Sequence, residues 1–313
     1  MTLFIFGTLL IVAALIASLT ASISYGLLIG GHHAALGWGR WGVRIALVAM
    51  FVAAALLMWL FYKGRYEFDY VFNYSSKDLE LRYKLSALWA GQQGSFMIWA
   101  LVGLAAAPLL IRRSREFEPF VLMPLMLVQV AIIAFMLINN PFNLRFDVSG
   151  NVIYAEDGRG LNELLHNPWM VIHPPILFVG YGLLAIPFAY ALAGLWRRDY
   201  DGWARQALPW TVTAWVVLST ALTLGGYWAY ETLGWGGYWA WDPVENSSLL
   251  PWLTSSALIH GLMVQRAHGG MRRVNFSLAI VTYALVMYAS FLTRSGILGD
   301  FSVHSFTEDG LGT

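Results

Sequence analysis

Eight apolar stretches divide this chain of 313 residues and constrain its fold more than any other feature. A helix that crosses the hydrocarbon layer of a bilayer needs roughly 20 apolar residues. Backbone N–H and C=O groups inside lipid must bond within the segment, which favours helices. The sequence therefore predicts an all-α fold, a polytopic membrane helical bundle of about eight transmembrane helices. We place these helices at about 3–29, 41–62, 85–111, 120–138, 175–196, 208–230, 249–265 and 274–293.

Composition supports this class and excludes others. Apolar residues make up 58% of the chain and charged residues only 12%, which excludes an ordinary soluble domain. The net charge of +1 provides no basic field for nucleic acid. The chain has no cysteine, so it forms no disulfide and carries no thiolate nucleophile. We predict a single membrane domain, residues 1–313, that contacts the lipid bilayer and no nucleic acid.

Basic residues flank alternate connections between the apolar stretches. Short loops with an excess of lysine and arginine face the cytoplasm by the positive-inside rule. The rule assigns one set of loops to the cytoplasm, and it leaves both termini and the loop 231–250 outside. The arginines that carry this assignment are Arg40, Arg44, Arg112, Arg113, Arg115, Arg197, Arg198, Arg205, Arg266, Arg272 and Arg273.

The outer loop 231–250 concentrates aromatic residues in the sequence GWGGYWAWDPVENSSLLPWL. Indole rings favour membrane interfaces, but usually as scattered anchors rather than as a glycine-spaced cluster. A flat aromatic platform at a membrane surface suits a large planar apolar ligand with polar edges, such as haem. The predicted platform residues are Trp235, Tyr238, Trp239, Trp241, Asp242 and Trp252.

Three histidines lie on the outer side by the same topology. His173 begins the sequence HPP, where two prolines would open the fifth helix and fix its entry. His304 follows the eighth helix in TRSGILGDFSVHSF. Imidazole is the usual axial ligand of haem iron, so His173 and His304 are candidate iron ligands from opposite faces. His166 is a competing candidate, and hydrogen bonding of each histidine to interfacial water or headgroups is the alternative without a ligand.

His260 falls inside a predicted span, where an ionisable residue is costly and suggests a function. Trp252, Ser256 and His260 recur every four residues and share one helix face, which we expect to point to the bundle interior. His260 either forms a hydrogen bond to another helix or ligates a buried haem whose second ligand lies on another polypeptide.

Asp242 and Glu245 lie just before the seventh predicted helix. The order Asp-Pro-Val-Glu is typical of a turn that leads into a helix, with carboxylates near its positive end. The alternative is that Asp242 orients a histidine or a cofactor edge. Asp242 is also the best, although weak, candidate for a catalytic acid or base.

Aromatic residues also alternate with other residues between positions 66 and 74. A period of two is typical of extended chain, so this pattern predicts an extended segment along the outer surface. The residues concerned are Tyr66, Phe68, Tyr70, Phe72 and Tyr74.

The sequence WGGYWAWDPVENSSLLPWL resembles the tryptophan-rich "WWD" signature of the haem-handling membrane proteins of cytochrome c biogenesis. The DPVEN continuation, the HPP motif and FLTRSG…SVHSF resemble the F component of the bacterial cytochrome c maturation system, the CcmF/NrfE family. The haem-exporting and cytochrome c synthesis proteins that share the signature diverge after Asp-Pro. The matching motifs extend from about residue 85 to residue 306.

This resemblance implies a haem lyase, a cytochrome c synthase subunit of the bacterial cytoplasmic (inner) membrane with its haem site on the periplasmic side. Such a protein receives haem b from the haem chaperone CcmE and positions it for thioether attachment to the CxxCH cysteines of apocytochrome c. The thiol-handling subunits CcmH and CcmI hold the apocytochrome. The resemblance makes His173 and His304 the axial ligands of the external haem iron, with loop 231–250 as its platform.

The resemblance also makes His260 a ligand to the iron of a permanent transmembrane haem b. Members of the family continue through further helices, and the second ligand of that haem lies there. We therefore expect this chain to correspond to the N-terminal part of a longer protein, as a fragment, a processed product or one piece of a split protein, and to be inactive alone. A haem carrier or exporter subunit without ligation activity is the alternative function.

Overall fold

The computed structural model describes residues 1–234, 236–298 and 302. Within these residues the chain is helical, with two isolated β-bridges and no strand, so the predicted all-α fold is confirmed. Short 3₁₀ helices lie at Ala87–Trp89, Arg115–Phe117 and Glu163–Leu165. The α-helices are α1 (Thr2–Ile29), α2 (Ala35–Lys63), α3 (Asp69–Tyr74), α4 (Leu81–Ser86), α5 (Gln92–Arg113), α6 (Glu118–Ile138), α7 (Pro168–Arg197), α8 (Gly202–Thr232), α9 (Pro243–His268) and α10 (Arg272–Arg294).

Seven of the described helical segments are long and apolar enough to cross a membrane: α1, α2, α5, α7, α8, α10 and the segment Arg115–Ile138 that contains α6. The eighth predicted span corresponds to α9, which has 26 residues but lies outside this group. Its sequence begins PVENSS and continues with threonine, serine and histidine, so it is less apolar than the others. The chain is a multi-pass membrane protein, and the count of eight spans stays a prediction.

Successive long helices run in opposite directions, which gives the bundle two distinct ends. We call one the arginine end, because arginines lie in or beside its loops. These loops are 30–34, 114–117, 198–201 and 269–271. There Arg40 of α2 bonds Glu118 of α6 at 2.7 Å, and Arg272 of α10 pairs with Asp201. We call the other the tryptophan end, which holds the loops 64–91, 139–167 and 233–242. Which end faces the cytoplasm stays a prediction.

Small residues allow the helices to pack closely, as is common in membrane bundles. A Cβ on Gly42 of α2 would lie 2.7 Å from the backbone oxygen of Ala17 on α1. A Cβ on Gly194 of α7 would lie 2.7 Å from the indole of Trp203 on α8. Trp203 is fully buried and stacks on Phe276 of α10 at 4.5 Å, so these contacts join three helices.

The third predicted span begins later than expected, at Gln92 rather than at residue 85. A hydroxyl from a distant segment breaks the helix: Tyr70 donates to the carbonyl oxygen of Leu88 and accepts from the amide of Gly91, each at 3.0 Å. These bonds satisfy backbone groups that a continuous helix would have paired internally. The predicted span 85–111 is therefore split into the end of α4, a 3₁₀ helix and α5.

Other helices begin earlier than expected, and two of them, α7 and α9, adjoin the loops of the predicted site. α7 begins at Pro168 rather than at residue 175, with Asn167 as its N-cap. α9 begins at Pro243 rather than at residue 249, with Asp242 as its N-cap. The connection between α8 and α9 is therefore 233–242 and not 231–250. Both ends of the predicted loop belong to helices, which leaves ten residues for its aromatic platform.

The prediction of an extended segment at 66–74 is wrong. Asp69–Tyr74 forms α3, and Tyr66, Phe68 and Tyr70 are buried. The ring of Tyr70 packs 5.6 Å from Phe61 and 4.9 Å from Tyr74. The buried rings pack against the end of α2 and against each other, so the alternation of aromatic residues does not mark an extended surface segment.

Candidate functional site

A pocket at the tryptophan end lies where α5, α7, α8, the start of α9 and the last turn of α10 meet. We call it the tryptophan-end pocket. Aromatic and aliphatic side chains form most of its wall, and a few polar or charged groups point to the same space. The residues used below are His173, Tyr181, Tyr238, Trp239, Glu245 and Arg294.

His173 lies within the second turn of α7, so the expectation that it precedes the helix is wrong. Its Nδ1 lies 2.8 Å from the carbonyl oxygen of Ala221 on α8. A carbonyl oxygen can only accept, so Nδ1 carries the proton and donates it. In the neutral imidazole Nε2 then carries the lone pair, which is the form in which imidazole ligates a metal.

Close packing against α8 also fixes the ring of His173. A Cβ on Gly225 would lie 2.7 Å from the imidazole Cε1 atom and 3.0 Å from Nδ1. Any side chain at position 225 would therefore displace the ring or separate the two helices. Ala221 and Gly225 are one turn apart on α8, and together they fix the position and the tautomer of His173.

The aromatic residues of loop 233–242 lie close to rings from α7 and α8. Tyr238 stacks on Tyr230 at 4.5 Å with an interplanar angle of 11°, and it meets Tyr227 edge-on at 5.6 Å. Tyr227 in turn packs 5.4 Å from Trp169 of α7. Trp239 lines the pocket beside them. Rings therefore cluster around Tyr238, and Trp239 lines the same pocket.

The other predicted platform tryptophans differ from this pair. Trp241 is 73% exposed and has a left-handed backbone conformation, with φ of 59°. Trp252 lies deeper along α9, where it stacks on Trp215 of α8 at 5.7 Å and donates to the hydroxyl of Ser219. Trp235 lies outside the described residues.

The start of α9 is a capping box. Asp242 Oδ1 accepts from the amides of Val244 at 2.8 Å and Glu245 at 3.2 Å. Glu245 Oε2 accepts from the amides of Ala240 at 2.9 Å and Asp242 at 3.4 Å. The helix-capping interpretation of these two acids is confirmed. The catalytic and cofactor-orienting roles of Asp242 stay predictions.

Asp242 also binds the segment that follows α10. The hydroxyl of Ser302 donates to Asp242 Oδ1 at 2.9 Å. His304, the second predicted axial ligand, lies outside the described residues. Ser302 precedes it by two positions, so the chain returns to the start of α9 just before the predicted ligand.

His166 is exposed and stacks on Tyr83 at 5.1 Å with an interplanar angle of 13°. It occupies the turn before α7. Of the two histidines that compete in the sequence, the structure brings His173 and not His166 to the wall of the tryptophan-end pocket.

His260 does not point to the bundle interior, which corrects that expectation. Its side chain is exposed, and Nδ1 donates to the carbonyl oxygen of Ser256 at 2.8 Å. The same helix face packs on α8 one turn earlier, because Trp215 donates its indole N–H to Ser256 Oγ at 2.6 Å. The face diverges from α8 before it reaches His260.

Sequence reasoning missed Arg294, the last residue of α10. Its guanidinium carbon lies 4.9 Å from the ring centre of Phe96 and 5.2 Å from that of Phe178, within the range of cation–π contacts. The signal was present in the motif FLTRSG, since an arginine at the predicted outer end of a span opposes the positive-inside pattern.

Comparisons with known proteins bear on the family of this chain. The model of the family described as "Cytochrome C assembly protein" matches residues 89–298. The chain is 39% identical over 264 residues to the cytochrome c-type biogenesis protein CcmF of Haemophilus influenzae, covering 82% of this chain and 40% of that protein. It is 37% identical over 276 residues to the probable cytochrome c-type biogenesis protein NrfE of Escherichia coli, covering 86% of this chain and 49% of that protein.

The chain belongs to the cytochrome c assembly protein family. The resemblance to the CcmF/NrfE proteins is thereby confirmed. A solved structure named Cytochrome c Heme Lyase CcmF superposes with a TM-score of 0.82 and 30% identity, over 96% of this chain and 48% of that one. The chain spans less than half the length of each of these three proteins.

The region that matches the cytochrome c assembly family includes the whole tryptophan-end pocket. Residues 89–298 contain α5 to α10, and therefore His173, the loop 233–242 and His260. Position 304 lies beyond the matched region. Among the described residues, no group of three or more histidine, aspartate or glutamate side chains is arranged to hold a metal ion.

Proposed function

We propose that this chain binds haem in the tryptophan-end pocket and positions it for thioether attachment to the CxxCH cysteines of apocytochrome c. The observation that carries the proposal is that His173 lines this pocket while its Nδ1 bonds Ala221, so that Nε2 is the ligating nitrogen of the neutral imidazole. Haem iron commonly takes such an imidazole as its axial ligand.

The other walls of the pocket suit a porphyrin. Tyr238 and Trp239 provide aromatic surface for its apolar macrocycle, and Arg294 provides a cation for its propionates. In this proposal His304 would provide the second iron ligand, and Trp235, Trp241 and Trp252 would extend or support the platform around Tyr238.

The chain would act by positioning. The substrate supplies the thiols, which agrees with a sequence that has no cysteine. Holding a vinyl group and a thiol in near-attack geometry can lower the barrier by several kcal/mol. Asp242 and Glu245 both serve as caps of α9, so a general acid–base contribution from Asp242 would come second to its structural role.

The proposal includes the partners implied by the family. CcmE would deliver haem b, and CcmH and CcmI would present apocytochrome c at the periplasmic face of the bacterial inner membrane. Basic loops at the arginine end support this orientation by the positive-inside rule.

A second haem b is proposed at His260. Its Nδ1 donates to Ser256, so in the neutral imidazole Nε2 carries the lone pair, and the side chain lies on an exposed helix face. This donor suits an axial position. The second ligand would come from outside this chain, and the haem would supply redox chemistry to the protein.

A haem carrier or exporter without ligation activity is the alternative. Asp242 and Glu245 both cap α9, which favours a carrier, because a carrier needs no acid–base group. Purification of the native assembly separates the two functions. A lyase should copurify with apocytochrome- and thiol-handling subunits, whereas a carrier should copurify with an ATPase.

The test of the proposed function is His173→Ala in the protein at its full natural length, purified in detergent. We expect loss of haem from the outer site and loss of the bis-histidine signature in the absorption spectrum. His166→Ala is the matched control and should retain both. Normal haem content and an unchanged ligand-field spectrum in His173→Ala would refute the axial assignment.

A further inference from the structure

Trp241 combines a backbone conformation that is uncommon for tryptophan with a side chain that is largely exposed. Its φ of 59° lies in the left-handed region, where residues other than glycine are uncommon. Its indole is 73% exposed, so burial does not compensate. Strained residues persist only where their surroundings fix them, and such residues cluster at functional sites.

Glu245 fixes the backbone on both sides of Trp241. One carboxylate oxygen accepts the amides of Ala240 and Asp242, at 2.9 Å and 3.4 Å. Glu245 is itself buried, with 9% exposure. The two residues that flank Trp241 are therefore bonded to the same atom.

Asn246 adds further hydrogen bonds to this loop and binds two tryptophans through one side-chain amide. Its Nδ2 donates to the carbonyl oxygen of Trp241 at 2.9 Å. Its Oδ1 accepts the indole N–H of Trp239 at 3.3 Å. An amide offers both a donor and an acceptor, whereas a carboxylate of the same shape can only accept.

We propose that Asn246 is a positioning residue that sets the relative placement of Trp239 and Trp241 for a planar ligand. It fixes Trp239 by its ring and Trp241 by its backbone, and it acts from the rigid first turn of α9. The inference rests on the proposed function, since the ligand that uses this arrangement is haem.

The test uses 5-fluorotryptophan incorporated into the full-length protein, with the ¹⁹F resonances of positions 239 and 241 assigned by Trp239→Phe and Trp241→Phe. We expect Asn246→Ala to shift both resonances and to weaken haem binding roughly ten-fold, the size of a lost positioning hydrogen bond. Asn246→Asp keeps the acceptor and loses the donor, so it should shift the Trp241 resonance more than the Trp239 resonance.

Asn151→Ala is the matched control, because it removes a hydrogen bond to Asp147 in an exposed turn at the same end of the bundle. It should change neither the resonances nor haem binding. Unmoved resonances in Asn246→Ala, or moved resonances with unchanged haem affinity, would overturn the inference. The ¹⁹F shifts are read without haem, so an unchanged haem spectrum in His173→Ala would remove the proposed function separately.

Discussion

At the scale of single residues, the orientation of His173 depends on the absence of a side chain at one position of α8. Gly225 has no side chain where the imidazole lies, and Ala221 offers its carbonyl oxygen at 2.8 Å. The position of the candidate iron ligand therefore depends on two residues, Ala221 and Gly225, that have no reactive or polar side chain.

Gly225→Ala should therefore displace His173 without removing it. We expect overpacking to lower the free energy of unfolding by about 1–3 kcal/mol and to change the axial-ligand spectrum of bound haem. Thermal unfolding in detergent and absorption spectroscopy measure the two effects. Gly234→Ala is the control, because a Cβ there meets nothing within 4 Å. Equal spectra for both variants would show that the ring does not depend on Gly225.

The motif HPP shows what a sequence can and cannot reveal about such a residue. It drew attention to His173, and the structure places that histidine in the wall of the pocket. It gave the wrong position, because Pro168 and not Pro174 or Pro175 opens α7. The contact with Gly225 lies 52 positions away along the chain and has no local signal.

At the scale of elements, the start of α9 supports the tryptophan loop. Asp242 caps the helix through two amides and also accepts from Ser302. Replacing an N-cap aspartate by alanine costs about 0.5–2 kcal/mol, whereas asparagine caps nearly as well.

Asp242→Ala should thus destabilise the protein by about 1 kcal/mol, while Asp242→Asn should remain near the wild-type stability. Unfolding in detergent followed by circular dichroism measures the difference. If the two variants lose equal stability, the negative charge of Asp242 dominates over capping, because asparagine keeps the oxygen that accepts from Ser302 and from the two amides.

Two indole–serine hydrogen bonds join α8 to α9 below the loop. Trp252 donates to Ser219 and Trp215 donates to Ser256, each at 2.6 Å, and the two rings stack. Hydrogen bonds between membrane helices contribute about 0.6 kcal/mol on average.

Ser219→Ala should therefore cost about 0.6–1.7 kcal/mol, because it leaves the N–H of Trp252 without its acceptor. Thr223→Ala is the control, since its exposed hydroxyl bonds only the carbonyl of Ser219 within α8. A double-mutant cycle of Ser219→Ala with Trp252→Phe measures the coupling, and a coupling near zero would contradict this contact.

The helices could be predicted from the sequence because long apolar runs leave few alternatives, but several boundaries could not. The start of α9 had a readable signal in Asp242 and Glu245, a capping box placed before the apolar run. The break before α5 had none, because the hydroxyl that causes it belongs to Tyr70, well upstream of Leu88. The exposure of His260 could not be predicted either. Periodicity shows which residues share a helix face, but it does not show whether that face packs against another helix.

At the scale of the whole molecule, a buried acid at the arginine end joins three helices. Glu118 of α6 accepts from both Arg40 of α2 and Tyr25 of α1. Glu116 pairs with Arg197 nearby, but its side chain is 78% exposed, against 7% for Glu118. The two pairs provide an internal comparison of buried and exposed charge.

Glu118→Gln should destabilise the bundle by about 2 kcal/mol, because it weakens charge-assisted hydrogen bonds that are withdrawn from water. Glu116→Gln should change stability by less than about 1 kcal/mol, as is usual for exposed pairs. Thermal unfolding of both variants at matched detergent and salt gives the comparison. Similar losses of stability in the two variants would mean that burial of Glu118 does not strengthen its ion pair.

The bond between Ser302 and Asp242 has a thermodynamic consequence for the periplasmic-facing segments of the proposed orientation. One carboxylate holds both the loop before α9 and the chain after α10, so order in one favours order in the other. A molecule that immobilises either segment would raise the affinity of the other segment for its own ligand, and linkage makes that cooperativity equal in both directions.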